Sequence, residues 1–224
     1  MDIQQLNQSA TDFSYDVTKI SAAHYPLVAD QYEILDAGSA MGFGVGPILV
    51  SQREIHPADV VSCVVGIPGK NTTANQLFHH FYNPKQSEFI LFSKMEGAIL
   101  NNEIDAGVLI HEGRFTYKSK GLRLIEDLGT RWESTYQLPI PLGILVVKKS
   151  LPGKTKSEIN SVIKQSIQFA FDYPDESKEY VKMHAQEMNK EIVDQHIKLY
   201  VNDYSLSMGE HGKKALKFLF DKLQ

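Results

Sequence analysis

Two short segments carry residue types arranged for chemistry. The first is His111-Glu112-Gly113-Arg114-Phe115-Thr116-Tyr117, which follows the apolar run Ala106-Gly107-Val108-Leu109-Ile110. Open α/β sheets gather their ligands at the carboxyl ends of such strands. A histidine there changes charge near neutral pH and can serve as a general base. The alternative is a structural histidine hydrogen-bonded to its own loop. The second segment is Pro68-Gly69-Lys70-Asn71-Thr72-Thr73-Ala74, a strand-to-helix turn. Free backbone N–H groups at the helix start, two hydroxyls and Lys70 suit a carboxylate or a phosphate. The alternative is that Thr72 or Thr73 caps a helix running to about Tyr82.

Other motifs fail on spacing. Gly42, Gly44 and Gly46 form G-x-G-x-G ahead of a strand, where a dinucleotide loop needs G-x-G-x-x-G between strand and helix. Gly69-Lys70 lacks both the earlier glycine (Val64 stands there) and the following hydroxyl (Asn71) of a phosphate-binding P-loop. His111-Glu112 opens like H-E-x-x-H, but Phe115 holds the second ligand position, so zinc is not expected. His79 and His80 are adjacent and face different directions on a helix. His24, His56, His184, His196 and His211 have no partner at ligand spacing and read as surface or capping residues. Cys63 sits among valines and reads as an inert buried thiol. The lysines at 148, 149, 154 and 156 flank a Pro-Gly turn and read as a solvated loop.

The elements that position these residues follow from periodicity. A polar helix is predicted over 2–13, a strand over 16–21 and a short helix over 22–29. The glycine-rich stretch 38–47 is expected to be irregular and to run into the strand Ile48-Leu49-Val50. Strands are predicted at 60–67, 87–92, 106–110 and 142–147, with a helix at 94–101. Beyond Ser150 the pattern turns helical. Thr155 and Glu158 fit a capping box, and Ile159, Val162, Ile163, Ile167 and Ala170 form one apolar face. Further helices are predicted at 175–188, 191–200 and 210–223. Strands alternating with helices, then a helical tail, argue an α/β fold.

Composition sets the broad class. The 224 residues suffice for one large domain or two small lobes around a cleft. A net charge of −4 and a pI near 6.1 lack the basic excess of a general nucleic-acid binder. One cysteine excludes an intrachain disulfide. The longest apolar run, 140–147, contains Pro141 and Gly143 and is far shorter than a membrane span. The polar start Met1-Asp2-Ile3-Gln4-Gln5 is not a signal peptide, so a cytoplasmic location is expected.

Several segments, in order, resemble the 1,4-dihydroxy-6-naphthoate synthase family of the futalosine route to menaquinone. They are Asp16-Val17-Thr18-Lys19-Ile20-Ser21, Gly38-Ser39-Ala40-Met41-Gly42 with Gly44-Val45-Gly46-Pro47, and Ile67-Pro68-Gly69-Lys70 with Thr72-Thr73-Ala74. Asp105 to Glu112 with Arg114 to Tyr117, Asp127-Leu128-Gly129 with Trp132-Glu133, and Leu138-Pro139 with Pro141-Leu142-Gly143 complete the set. The resemblance implies a two-lobed type II periplasmic-binding-protein-like fold, α/β, with a central ligand cleft and a helical C-terminal segment. Lobe one would comprise residues 1–47 and 144–224, and lobe two 48–143. It further implies conversion of cyclic dehypoxanthine futalosine to 1,4-dihydroxy-6-naphthoate, a carbon–carbon lyase reaction without a cofactor or metal. By motif His111 is the catalytic base. Lys19, Ile20 and Ser21 from lobe one and Thr72, Thr73 and Ala74 from lobe two would meet the small anionic substrate. A solute-binding protein for a small anion, or the sister chorismate dehydratase, are the alternatives on the same fold. Glu112 is not assigned as the orienting partner of His111, because it would point away on an extended strand.

Two departures stand out. The family begins with a strand and loop reading roughly S-P-C-P-N-D-T-F, which does not precede Met1, so a truncated or misassigned start is expected. Gly113 replaces a serine usual in the family.

Overall fold

The computed structural model describes residues 1–184 and 189–222. In chain order, α1 (Ile3–Thr11), β1 (Val17–Ser21), β2 (Tyr32–Ile34), β3 (Ala40–Gly42) and β4 (Ile48–Ser51) come first. Next are β5 (Val64–Ile67), α2 (Thr73–Phe81), β6 (Gln86–Phe89), α3 (Phe92–Leu100) and β7 (Ala106–Leu109). Then follow α4 (Gly113–Thr116), β8 (Arg123–Asp127), α5 (Leu128–Tyr136) and β9 (Ile140–Lys148). The remainder is helical: α6 (Gly153–Asp172), α7 (Lys178–His184), α8 (Lys190–Tyr200), α9 (Asp203–Leu206) and α10 (Gly209–Lys222).

Two sheets build two lobes with a cleft between them. In the first, β9 is the centre: β1, β2 and β3 all pair with it antiparallel. Its burial makes it a core strand, with Ile140, Ile144, Val146 and Val147 wholly inaccessible. The second sheet has the order β6-β5-β7-β4-β8. The pairs β5–β6 and β5–β7 are parallel, and β4 runs antiparallel to both β7 and β8. The chain enters the second sheet at β4 and returns to the first at Ile140, where β9 begins.

The start of α1 and the cap of α2 follow local chemistry. Asp2 and Gln5 close a capping box at α1, and the Thr72 hydroxyl accepts from the Asn75 amide at α2. Elsewhere the structure departs from expectation. The stretch 38–47 is not wholly irregular: β3 pairs with β9 through a bulge between Ala40 and Met41. The strand expected over 60–67 is confined to Val64–Ile67, because Pro57–Ser62 forms a 3₁₀ turn begun by proline and capped by His56. The helix expected at 22–29 is a 3₁₀ turn over Ala22–Leu27 with Pro26 inside it. Helix α6 starts at Gly153 behind Pro152, so Thr155 and Glu158 lie within the helix and form no capping box there.

The apolar face expected of α6 is not core, since no residue of that helix is buried and Val162 is 64% exposed. Polar ties hold it instead: Lys156 pairs with Glu33 at 2.8 Å, and the Ala37 amide donates to Asn160 at 3.0 Å. Lys156 is therefore not part of a solvated loop. Of the helix expected over 175–188, α7 is seen, and 185–188 lie outside the described residues, as does Leu223. Strands β2 and β8 and helices α4, α5 and α9 have no counterpart in the sequence reading. Helix α5 matters most, because wholly buried Trp132 packs edge-on against Tyr136 and Phe218 and joins it to α10.

Candidate active site

His111 occupies the turn between β7 and α4. Its φ of 56° lies in the left-handed region, which a residue with a β-carbon enters at a cost of about 1–2 kcal/mol. The kink swings the imidazole out of line with the strand. Glu112 follows with helical dihedrals and begins α4, so it does not continue an extended strand away from His111. Its carboxylate lies within electrostatic reach of His111, contrary to the expectation drawn from strand geometry.

The imidazole is hemmed in by both lobes. Phe92 of α3 meets it edge-on with ring centroids 5.6 Å apart. His196 of α8 approaches from the helical tail at 6.0 Å, and Tyr200, one turn on, stacks on His196 at 4.6 Å. Burial lowers the His111 pKa to about 4; Glu112 opposes this, while His196 and Lys19 reinforce it. The ring is therefore neutral at pH 7 and free to accept a proton. Burial similarly holds His196 below the usual range and pushes the Tyr200 phenol up to about 12. A cavity of about 170 Å³ opens beside Phe92, Ile110, Glu112 and Thr116.

Lys19 projects from β1 against the bare backbone of Gly143, where an added Cβ would lie 3.2 Å from its Cε. Its side chain is accessible to solvent, yet surrounding protein desolvates the ammonium enough to lower its pKa. Both observations fit a lysine lining a cleft.

The other five expected substrate contacts are committed within the fold. Ile20 is wholly buried in the core. The Ser21 hydroxyl and amide are both taken by Asn7, at 3.0 and 2.8 Å. Thr72 donates its hydroxyl to the Gly69 carbonyl while capping α2. The Thr73 hydroxyl donates to the Leu142 carbonyl at 3.0 Å and accepts from the Ala23 amide at 3.2 Å, tying α2 to both β9 and the 3₁₀ turn after β1. Ala74 is buried. What these residues offer the cleft is backbone: the amides of Thr73 and Ala74 lie in the first turn of α2, where no intrahelical acceptor exists.

Three residues escaped the sequence reading. Asn7, wholly buried on α1, bridges Ser21 to the Asn71 carbonyl and so joins β1 to the Thr72 turn. Glu112 was set aside. His196 read as a lone surface histidine; its spacing of four from Tyr200, which puts both on one helix face, was the available signal. His24 also differs from expectation, being wholly buried.

The remaining motif residues build the connection between the lobes. Gly46 and Gly129 cross so closely that a Cβ on Gly46 would fall 2.2 Å from the Gly129 Cα. Arg114 grips the same place, donating to the Gly46 carbonyl at 2.8 Å and to Asp127 at 2.5 Å. Glu133 accepts from the Gly44 amide at 2.6 Å. Among the described residues no group of three or more His, Cys, Asp or Glu is placed to hold a metal, and no helix is long and apolar enough to cross a membrane.

A family model described as menaquinone biosynthesis matches residues 1–224. A 1,4-dihydroxy-6-naphthoate synthase of Streptomyces coelicolor is 35% identical, covering 99% of this chain and 80% of that protein. One from Thermus thermophilus is 33% identical, covering 98% and 80%. A crystal structure of an Archaeoglobus fulgidus protein superposes with a TM-score of 0.92 at 36% identity, over 99% of this chain and 83% of that one. The periplasmic aliphatic sulphonate binding protein of Escherichia coli shares the fold at a TM-score of 0.66 and 9% identity, over 97% and 74%.

Proposed function

This chain belongs to the menaquinone biosynthesis family, and we propose that it converts cyclic dehypoxanthine futalosine to 1,4-dihydroxy-6-naphthoate. The reaction is a carbon–carbon cleavage with aromatisation, run in the cytoplasm without a cofactor. The observation that carries this reading is the imidazole of His111. It is neutral at pH 7, held out from the end of β7 by a left-handed backbone, and enclosed by groups from both lobes. Such a ring can accept a proton from the substrate, and enclosure limits loss of the intermediate to water.

Lys19 and the amides of Thr73 and Ala74 receive the substrate's carboxylate. Ile20, Ser21 and Thr72 shape those two segments rather than touch the ligand with their side chains. The lobes meet at β4 and the start of β9, and the Gly46–Gly129 crossing with Arg114 sets how they face each other.

The test is incubation of the purified chain with cyclic dehypoxanthine futalosine, with mass-spectrometric detection of the naphthoate. His111→Asn runs alongside. Asparagine tolerates positive φ, so the variant keeps the turn. Product from the wild type, and about 10²- to 10⁴-fold less from the variant, is expected. Equal rates would remove His111 from the role. A folded wild type that makes no naphthoate would overturn the reading; a parallel incubation with chorismate and a binding titration with small carboxylates would then test the dehydratase and the receptor.

A further inference from the structure

His196 is unexplained by the roles assigned so far. It comes from α8, in the helical tail, while His111 comes from the second sheet, so the two rings meet across the cleft. Tyr200 packs against the His196 ring with centroids 4.6 Å apart. Its Nε2 is buried and has no hydrogen-bond partner among the described residues. A buried ring nitrogen left unpaired is a cost that native structures avoid unless something else satisfies it. The surroundings name the class of group that would do so. Glu112 and Lys19 are the charged groups that act on His196, and Tyr200 packs on it. Glu112 and Lys19 already bring a carboxylate and an ammonium within electrostatic reach, and what the ring lacks is a neutral hydrogen-bonding group.

We propose that His196 is a second ligand-contacting residue of this cleft, a substrate hydroxyl donating to its Nε2 opposite His111. This rests on the reaction proposed above, whose substrate and product both carry hydroxyls.

The test uses His196→Phe, which keeps a ring against Tyr200 and removes the nitrogen, and His196→Gln, whose amide restores a polar atom near the Nε2 position. Affinity for 1,4-dihydroxy-6-naphthoate is measured by calorimetry, with kcat/KM and its pH profile beside it. His196→Phe should bind the naphthoate about tenfold to hundredfold more weakly, and His196→Gln should recover most of the loss. The acid limb of kcat/KM should move to higher pH in His196→Gln, since a neighbouring imidazolium no longer opposes protonation of His111. Glu112 from α4 and Lys19 from β1 remain in place and act in opposite directions, so they do not mimic that movement. Wild-type affinity and an unmoved acid limb in both variants would overturn the proposal while leaving the reaction standing. So would equal losses in both variants with lowered melting temperatures, which mark a packing role. If His196→Phe does not fold, His196→Leu, which also removes the nitrogen, takes its place in the same comparison with His196→Gln. A folded wild type that neither turns over nor binds the naphthoate overturns the reaction and, with it, this proposal.

Discussion

Replacing Asn7 with alanine removes three hydrogen bonds for which the surrounding structure offers no substitute. The Asn7 Nδ2 donates to the Ser21 hydroxyl at 3.0 Å and to the Asn71 carbonyl at 2.9 Å, and Oδ1 accepts from the Ser21 amide at 2.8 Å. Asn7 is wholly buried and Ser21 is 2% exposed, so water does not easily replace these partners. Leaving a buried amide or carbonyl unpaired costs about 1–3 kcal/mol. The Ser21 amide is fully enclosed, whereas the Asn71 carbonyl sits on a half-buried residue that water can partly reach, so together they cost about 2–3 kcal/mol on the same scale. Alanine is a better helix former than asparagine, which returns about 0.5 kcal/mol within α1. The net loss is about 2 kcal/mol, or roughly 4–8 °C in melting temperature for a chain of this size.

Thermal and urea unfolding of the wild type and Asn7→Ala measure it directly. Asn7→Asp sharpens the reasoning: it keeps the acceptor for the Ser21 amide but sets a carboxylate oxygen against the Asn71 carbonyl, so it should be destabilised as well, and less so at acid pH. A loss below about 0.5 kcal/mol in Asn7→Ala, the size of an ordinary surface substitution, would refute the argument that this residue ties β1 to the Thr72 turn.

Two further outcomes follow from the geometry. Gly46→Ala should cost about 3 kcal/mol or more, because its Cβ would meet the Gly129 backbone at 2.2 Å, whereas at Gly44 nothing lies within 4 Å and the φ of +72° makes alanine cost about 1 kcal/mol. Melting temperatures that rank the two the other way would show that the lobes separate freely at this crossing. The lowered pKa of His111 makes the folded state bind fewer protons than the unfolded one between about pH 6.5 and 4, so stability should fall as pH drops through that window. At 1.36 kcal/mol per pH unit the upper bound is about 3 kcal/mol, and the ring's partial exposure reduces this to about 1–2 kcal/mol. Urea titrations at pH 7 and pH 4 should show a smaller loss in His111→Asn than in the wild type; an equal loss would place the acid sensitivity elsewhere.

Local patterns carried much of the fold. Apolar runs placed β4, β7 and β9, because burial on both faces leaves no polar alternation to mistake. The Thr72 cap and the helix behind it were legible because a cap satisfies amides two or three residues away. His111 stood out because it follows a buried strand directly, and the ordered motifs marked the family. Those motifs divide in the structure: Arg114, Asp127, Gly129 and Glu133 lock the connection between lobes, and fewer residues line the cleft. Periodicity over-read α6, since it reports that one face is apolar and not whether anything covers it.

What tertiary structure alone decided is long-range pairing. Asn7 with Asn71, Arg114 with Gly46, and His111 with His196 each join residues that no window of sequence contains. The left-handed turn at His111 belongs to the same class, because the packing around a non-glycine residue, and not its own preference, holds it at positive φ. The type of chemistry could be read from one histidine after a strand; which groups surround that histidine, and how they keep it neutral, depended on where the rest of the chain came to rest.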